Sequence, residues 1–555
     1  MPVAQKNLYR DGSNLSEIFS DPGLRQCVDS VATQNNWSRP EQLSGTLNCS
    51  GQGISDLSGI EQLVSLTSLN LRGNDLQDIA PLASLTNLSF LNLSNNAVSD
   101  LTPLASLSSL TSLYLANNHI QDAGALSALS GLQNLDIGHN QLTSVAPLAQ
   151  LKSLNYLNIS ANRVTDVTEL QDLSRLTGLN MSENVVSRID AVGELQALTF
   201  LDASRNYITD ISPLTGLENL QVLLLYNNQF QSLVPLATVT SLQKLYLSNN
   251  AITDISPLST LVDLQDLVIE HNNISDIFAV TNMPNLKILL AGYNNISSVD
   301  ALASGDLMSL SNLGLAYNNI TDASGVGGLV SLRRLDLGNN QLTSATGLRS
   351  LDALEILLLD DNHISDISAL AGLGGLMFLR LDNNEISNIQ PLASLYSLRH
   401  LSMYSNAIYD IQPLSTLLNL VSLNLYDNHV ADINALASLS QLQILRLHFN
   451  SVSDISALQN LSNLVELHLS ANEISNVNVL ASLTNLDIVS LDSNNIVDST
   501  PLANLVNASE IRLANNPAMT CQSLGFLINQ LGSPPVDSDN NPGNVDSVTP
   551  GVNCQ

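Results

Sequence analysis

The chain has 555 residues, and 50 acidic against 19 basic side chains give it a formal charge of −31. So few Lys and Arg exclude a nucleic-acid binder, which must neutralise phosphates, and disfavour docking on an anionic membrane. Hydrophobic residues make up 44% and aromatics only 4%, too apolar for a disordered acidic polymer and a mixture in which Leu must fill a large core.

Residues 1–46 read as an N-terminal region and helical cap. Cys27 falls in the helical stretch Asp21–Val28, and Cys49 in a first, degenerate strand. Met1–Asn14 contains no apolar h-region, so no signal peptide is expected in this sequence. No apolar run approaches the roughly 18 residues of a membrane-spanning helix.

From residue 47 to 517 one phrase returns every 22 residues. Its Asn stands at every such step from Asn74 to Asn294 and, after a two-residue insertion near Gly305-Asp306, from Asn318 to Asn516. Gln52 heads this column as a degenerate member, which makes about 22 repeats. Within a repeat, apolar residues alternate as in Leu91 and Leu93, the period of a strand, and the remainder turns the chain back. The phrase matches the leucine-rich-repeat pattern L-x-x-L-x-L-x-x-N-x-L. No unit can bury its leucines alone, so the expected fold is an α/β repeat solenoid. That is a leucine-rich-repeat horseshoe or superhelix with a parallel β-sheet on the concave face, short 3₁₀ or irregular segments on the convex side and a helical N-terminal cap.

The Asn column is structural: a side-chain amide at a sharp turn satisfies backbone groups that would otherwise be buried unpaired. Asp stands four places later in fourteen repeats, Asp254 among them, and Pro three places after that in nine, as at Pro257. Asp suits an N-cap or turn, and Pro the first turn of a 3₁₀ segment. A calcium role is disfavoured, because one carboxylate per 22 residues is unlike the dense ligands of a calcium loop. The inserted Gly305-Asp306 is expected to bulge from the convex side, the alternative being a bend in the solenoid.

Residues 518–555 form a C-terminal cap or tail rich in Pro, Asn and Asp, with Cys521 and Cys554. Four cysteines permit three pairings. Two per cap make Cys27–Cys49 and Cys521–Cys554 the most economical, and staples at both ends point to an oxidising compartment. A zinc site would need C-x-x-C spacing, which is missing.

The 22-residue period, the Asp254-Ile255-Ser256-Pro257-Leu258 turn and the cap running into Ile54-Ser55-Asp56-Leu57-Ser58-Gly59-Ile60-Glu61 resemble the internalin-type leucine-rich repeats of bacterial surface and secreted proteins. The resemblance spans roughly residues 15–516. It implies an extracellular, non-catalytic scaffold that recognises proteins through its concave strands. Paired cap cysteines depart from that family, as does the lack of a recognisable immunoglobulin-like segment or sortase signal after the repeats.

Strand residues between the core leucines list the expected binding surface. Twelve of the 21 aromatics and five of the eight His fall there, far more than uniform placement would give. Aromatics dominate binding hot spots, although strands also favour them for stability. Repeats 2 to 8 carry mainly Asn, Ser and Gly. Repeats 9 to 15 are expected to expose aliphatics beside tyrosines, as at Tyr226, Tyr246, Leu290, Tyr293, Tyr317 and Leu358. Farther on, charge and rings interleave at Phe378, Arg380, His400, Tyr404, Tyr426, Arg446, His448, Phe449 and His468. These residues are the candidate site, with tyrosines and Phe449 as anchors and Arg380 and Arg446 as polar specifiers.

His448, Glu466 and His468 formally make an acid/base or metal-like trio. The face otherwise offers no closed pocket, nucleophile motif or phosphate loop, so no catalysis, metal or cofactor is expected. The reading is a secreted or cell-surface recognition scaffold with a protein ligand. Alternatives are a glycan-binding adhesin, with Tyr faces stacking on sugars, and an intracellular regulatory subunit of the phosphatase-binding type, which shares the period.

Overall fold

The computed structural model describes residues 18–35 and 39–531. The chain divides into two compact units, Met1–Asn272 and Asn273–Gln555. Each is a leucine-rich-repeat solenoid with eleven short parallel strands among its described residues. No helix among those residues is long and apolar enough to cross a membrane.

In the first unit the strands stack in register on their central leucines, Leu69 beside Leu91 and Leu91 beside Leu113. These leucines are fully buried, as is the second column formed by Leu71, Leu93 and Leu115. Each such side chain contributes about 1.5–3 kcal/mol of burial. The Asn ladder lies immediately after the strands. Asn206 donates through Nδ2 to the carbonyls of Ala203 in its own coil and Met181 in the coil before, both near 3 Å, and accepts the N–H of Val186 at 3.0 Å. One amide thereby satisfies three backbone groups that no strand could reach. The pattern lapses at Asn250, whose buried Oδ1 has no hydrogen-bond partner; the position it would serve is occupied by the bulky, buried Phe230.

The return side is a column of 3₁₀ segments such as Ser256–Thr260. All fourteen column aspartates open their segment in the same way, accepting through Oδ1 the N–H two residues on, as Asp254 does from Ser256 at 2.8 Å. That is the Asx turn, and Pro fits just behind it because its missing N–H would have had no acceptor. Ser144, Ser232, Ser298, Ser344, Asn388 and Asn476 make the same bond where Asp is absent. These bonds hold the Asp100 and Asp254 carboxyls below their ordinary range.

Helix α1 (Pro22–Asn35) caps the first unit. Asp21 caps it through Oδ1 to the N–H of Leu24 at 2.9 Å, while its Oδ2 accepts the N–H of Ser55 at 2.9 Å, tying the helix to the first repeat. Gly59 closes the joint at φ +101°, where a Cβ would lie 2.5 Å from the Ile18 carbonyl oxygen. Cys27 and Cys49 form the expected disulfide.

The second unit repeats the design, with Leu289 beside Leu313 and Leu401 beside Leu423. The two inserted residues leave the strands in register, Ile288 opposite Asn312. They lie after the 3₁₀ segment Asp300–Ser304. The ladder spans them intact: Asn318 reaches Ala291 across 27 residues instead of 25 and accepts from Ile296 across 22 instead of 20. Helix α2 (Cys521–Leu531) ends the described chain, burying Leu527 and packing on the segment Thr500–Asn504. A composition full of Pro, Asn and Asp gave no sign of it. Cys521 is disulfide-bonded, and Cys554 lies outside the described residues.

Candidate functional site

Alternation sends every second strand residue outward, so each repeat offers two strand positions and two more before its ladder Asn. The last of these has an unexpected backbone. In twenty successive repeats the residue before the ladder Asn is left-handed, with φ between 50° and 58°. Asn and Asp tolerate this conformation, but Tyr293, Tyr317 and Phe449 also adopt it, and bulky side chains do so only at a cost of about 1–2 kcal/mol.

In the first unit, Tyr226 is half-buried and the Arg205 guanidinium lies 5.9 Å from its ring centre. Tyr246 reaches the Asp266 carboxylate at 3.4 Å, and burial with that neighbouring charge pushes its hydroxyl pKa up. Lys244 pairs with the same carboxylate at 3.3 Å.

In the second unit, Tyr293 and Tyr317 stack at 4.0 Å and 10°. Both rings remain more than two-fifths exposed. Leu290 lies over Gly314, where a Cβ would meet its Cδ2 at 2.9 Å. Leu358 corrects the sequence reading: it is 8% exposed, flanked in register by Asp336 and Arg380, and gives a partner almost nothing to touch.

The densest arrangement lies on the six strands from Ile356–Leu358 to Glu466–His468. Tyr404 and Tyr426 approach at 6.1 Å, and Tyr426 meets Phe449 edge-on at 5.5 Å and His448 at 6.0 Å. His448 and His468 are 5.0 Å apart. Beside this line of rings is a shallow depression of about 450 Å³, lined by Phe378, Arg380, His400, Tyr404 and Arg446 among others. The exposed His400 lies 5.8 Å from Phe378, and the Arg380 guanidinium 5.9 Å from the same ring.

Polar neighbours, one of them a buried carboxylate, fix the rings. Asp382, 3% exposed, accepts the Ser402 hydroxyl at 2.6 Å and the Tyr404 N–H at 2.8 Å, and burial pushes its carboxyl up to about 6. Asn383 donates to Asp361 at 2.8 Å and to the Tyr404 hydroxyl at 3.3 Å. Arg446 pairs with Glu466 at 2.8 Å, and His468 lies 3.6 Å from that carboxylate. Burial, reinforced by His468, Arg446 and Arg512, pushes His448 down to about 4. The His448 ring is therefore neutral near pH 7, and burial, with the Arg446 charge, also holds His468 below its ordinary value.

The structure thus brings together Phe378 to His468 and pairs Tyr293 with Tyr317. Tyr226 and Tyr246 belong to the first unit. The formal trio His448, Glu466 and His468 does converge, yet among the described residues no group of three His, Cys, Asp or Glu is placed to hold a metal. Asp361 and Asn383 were missed in the sequence; their signal was the recurrence of Asn, Asp and Gly directly before the ladder Asn.

A family model described as "Leucine Rich repeats (2 copies)" matches residues 64–172, 196–279 and 309–350 in overlapping copies. A search of curated proteins found no match. Among solved structures the chain is similar to a plant peptide hormone receptor, RGFR1, in complex with RGF2. There it is 22% identical with a TM-score of 0.67, over 85% of this chain and 88% of the receptor. A leucine-rich-repeat protein of Leptospira interrogans is 23% identical at TM-score 0.55, covering 74% and 98% of the two chains. The functional domain of InlJ from Listeria monocytogenes is 22% identical at TM-score 0.52, covering 74% and 80%. These likenesses establish the fold.

Proposed function

We propose, from the premise that this chain is a leucine-rich-repeat protein, that it is a secreted or cell-surface recognition scaffold of the internalin type, without catalytic activity. A protein partner docks on the outward strand face. One observation carries the reading: the line of rings from Tyr404 through Tyr426 to Phe449, held by Asp382 and Asn383. Rigid aromatic anchors with fixed polar supports bury large area at little entropic cost, the composition of a binding hot spot. The Cys27–Cys49 disulfide supports an oxidising location. The stacked Tyr293–Tyr317 pair forms a second, uncharged contact area.

The test is a surface-protein pull-down with wild type and with Tyr404→Ala/Tyr426→Ala. The double variant should lose the captured partner while its melting temperature stays within about 2 °C, since neither half-buried ring belongs to the buried leucine core. A partner retained by the double variant would place recognition elsewhere. Specific binding on a glycan array, lost in that variant, would replace a protein ligand by a sugar.

A further inference from the structure

The chemistry of the partner follows from how charge is distributed around the rings, and the inference rests on the reading of that cluster as a binding site. On the strand face of the second unit, all four arginines are engaged with carboxylates. Arg334 lies near Asp336, Arg380 between Asp360 and Asp382, Arg446 on Glu466, and Arg512 on Glu510. Over the four strands from Ile356–Leu358 to Ser422–Asn424 and the outward positions that follow each, four carboxylates (Asp360, Asp361, Asp382 and Asp427) face one guanidinium, that of Arg380.

Among the described residues, two of those carboxylates have only neutral donors. Asp361 accepts from Asn383 at 2.8 Å and Asn339 at 3.3 Å, and Asp427 from Ser405 at 2.8 Å. Both belong to the left-handed column, at φ +54°. They flank the rings: Asp427 directly follows Tyr426, and Asp361 is joined through Asn383 to the Tyr404 hydroxyl. An aromatic surface with surplus carboxylates at its margins complements cations, because a ring face and a carboxylate both attract positive charge.

We infer that the ring cluster takes a basic, extended segment of its protein partner, with one Lys or Arg over Tyr426 and Phe449 against Asp427 and a second at Asp361. The two aspartates stand three strands apart, about 14 Å at the usual strand spacing, so the two cations are about four residues apart in an extended peptide. An acidic segment would meet the surplus carboxylates, and a neutral one would leave Asp361 and Asp427 unused.

The experiment is selection of a displayed random twelve-residue peptide library on the intact chain. Enriched peptides are then synthesised, and their affinity is measured for wild type and three double variants. Peptides that lose binding in Tyr404→Ala/Tyr426→Ala should carry two Lys or Arg about four residues apart. They should bind Asp361→Asn/Asp427→Asn at least tenfold more weakly and lose affinity with added salt. They should bind Asp352→Asn/Glu473→Gln as they bind wild type, since those carboxylates lie off the cluster. Ring-dependent peptides that are neutral or acidic, or whose affinity survives Asp361→Asn/Asp427→Asn, would overturn the basic segment while leaving the ring site standing. Absence of any ring-dependent peptide would overturn the protein-binding reading beneath it.

Discussion

The ring of Tyr426 stands edge-on to that of Phe449, at 89° with 5.5 Å between centroids. Tyr426 also touches Tyr404 and His448, so it is the hub through which the other rings are held. Tyr426→Ala should weaken partner binding by about 2 kcal/mol, the scale of a hot spot. Tyr426→Phe retains the edge-on packing and should lose less than half of that. Titration calorimetry against the captured partner decides; equal losses for both variants would assign the affinity to the hydroxyl instead of the ring.

The ladder makes a separate prediction. Asn340 is buried, donates to Leu315 and Leu337 and accepts from Ile320. Replacing it by Leu strands three backbone groups and should destabilise the second unit by roughly 1–3 kcal/mol or more. Amide exchange at Ile320 should accelerate correspondingly, and unchanged exchange there would refute the ladder's role.

At the left-handed column the prediction has the opposite sign. Ala161 sits at φ +51°, a conformation that costs alanine more than asparagine. Ala161→Asn should therefore raise the denaturation midpoint, by a few tenths to about 1 kcal/mol. A lower midpoint would show that the column is not strained.

Two shifted groups, the buried Asp382 and the half-buried His448, should oppose each other in acid. His448 titrates near 4 in the folded chain against 6.5 unfolded, so between those values the unfolded chain binds more protons. The stability its neutral ring contributes is complete above about pH 6.5 and is lost as pH falls towards 4. Asp382, raised from 3.8 to about 6, binds its proton more tightly when folded, so its contribution falls as pH rises from about 4 to 6. His448→Gln should make the denaturation midpoint fall more steeply with rising pH, and Asp382→Asn should make it climb. Wild-type slopes in both variants would contradict these environments.

How much of this was legible depended on how often a residue type repeats. The Asn and Asp columns announce themselves because one chemistry is demanded at each turn, and their hydrogen bonds are those the spacing implies. The left-handed column escaped notice because a backbone angle, not a side chain, is conserved down it, and Glu183, Arg205 and Phe449 occupy it alongside Asn. Leu358 misled for a related reason: period-2 alternation says which way a side chain points but not whether its neighbours cover it. The roles of Asp382 and Asn383 depend on contacts between strands 20–22 residues apart, which a linear pattern does not display.

The two residues added at Gly305-Asp306 leave the strand pairing and the ladder undisturbed. Each outward side chain is therefore addressed by its row and column, and the address survives a change in chain length on the return side. Such a face can be rewritten one position at a time. Return turns can accept inserted sequence, a label or a linker for instance, without moving any letter of the surface that a partner reads.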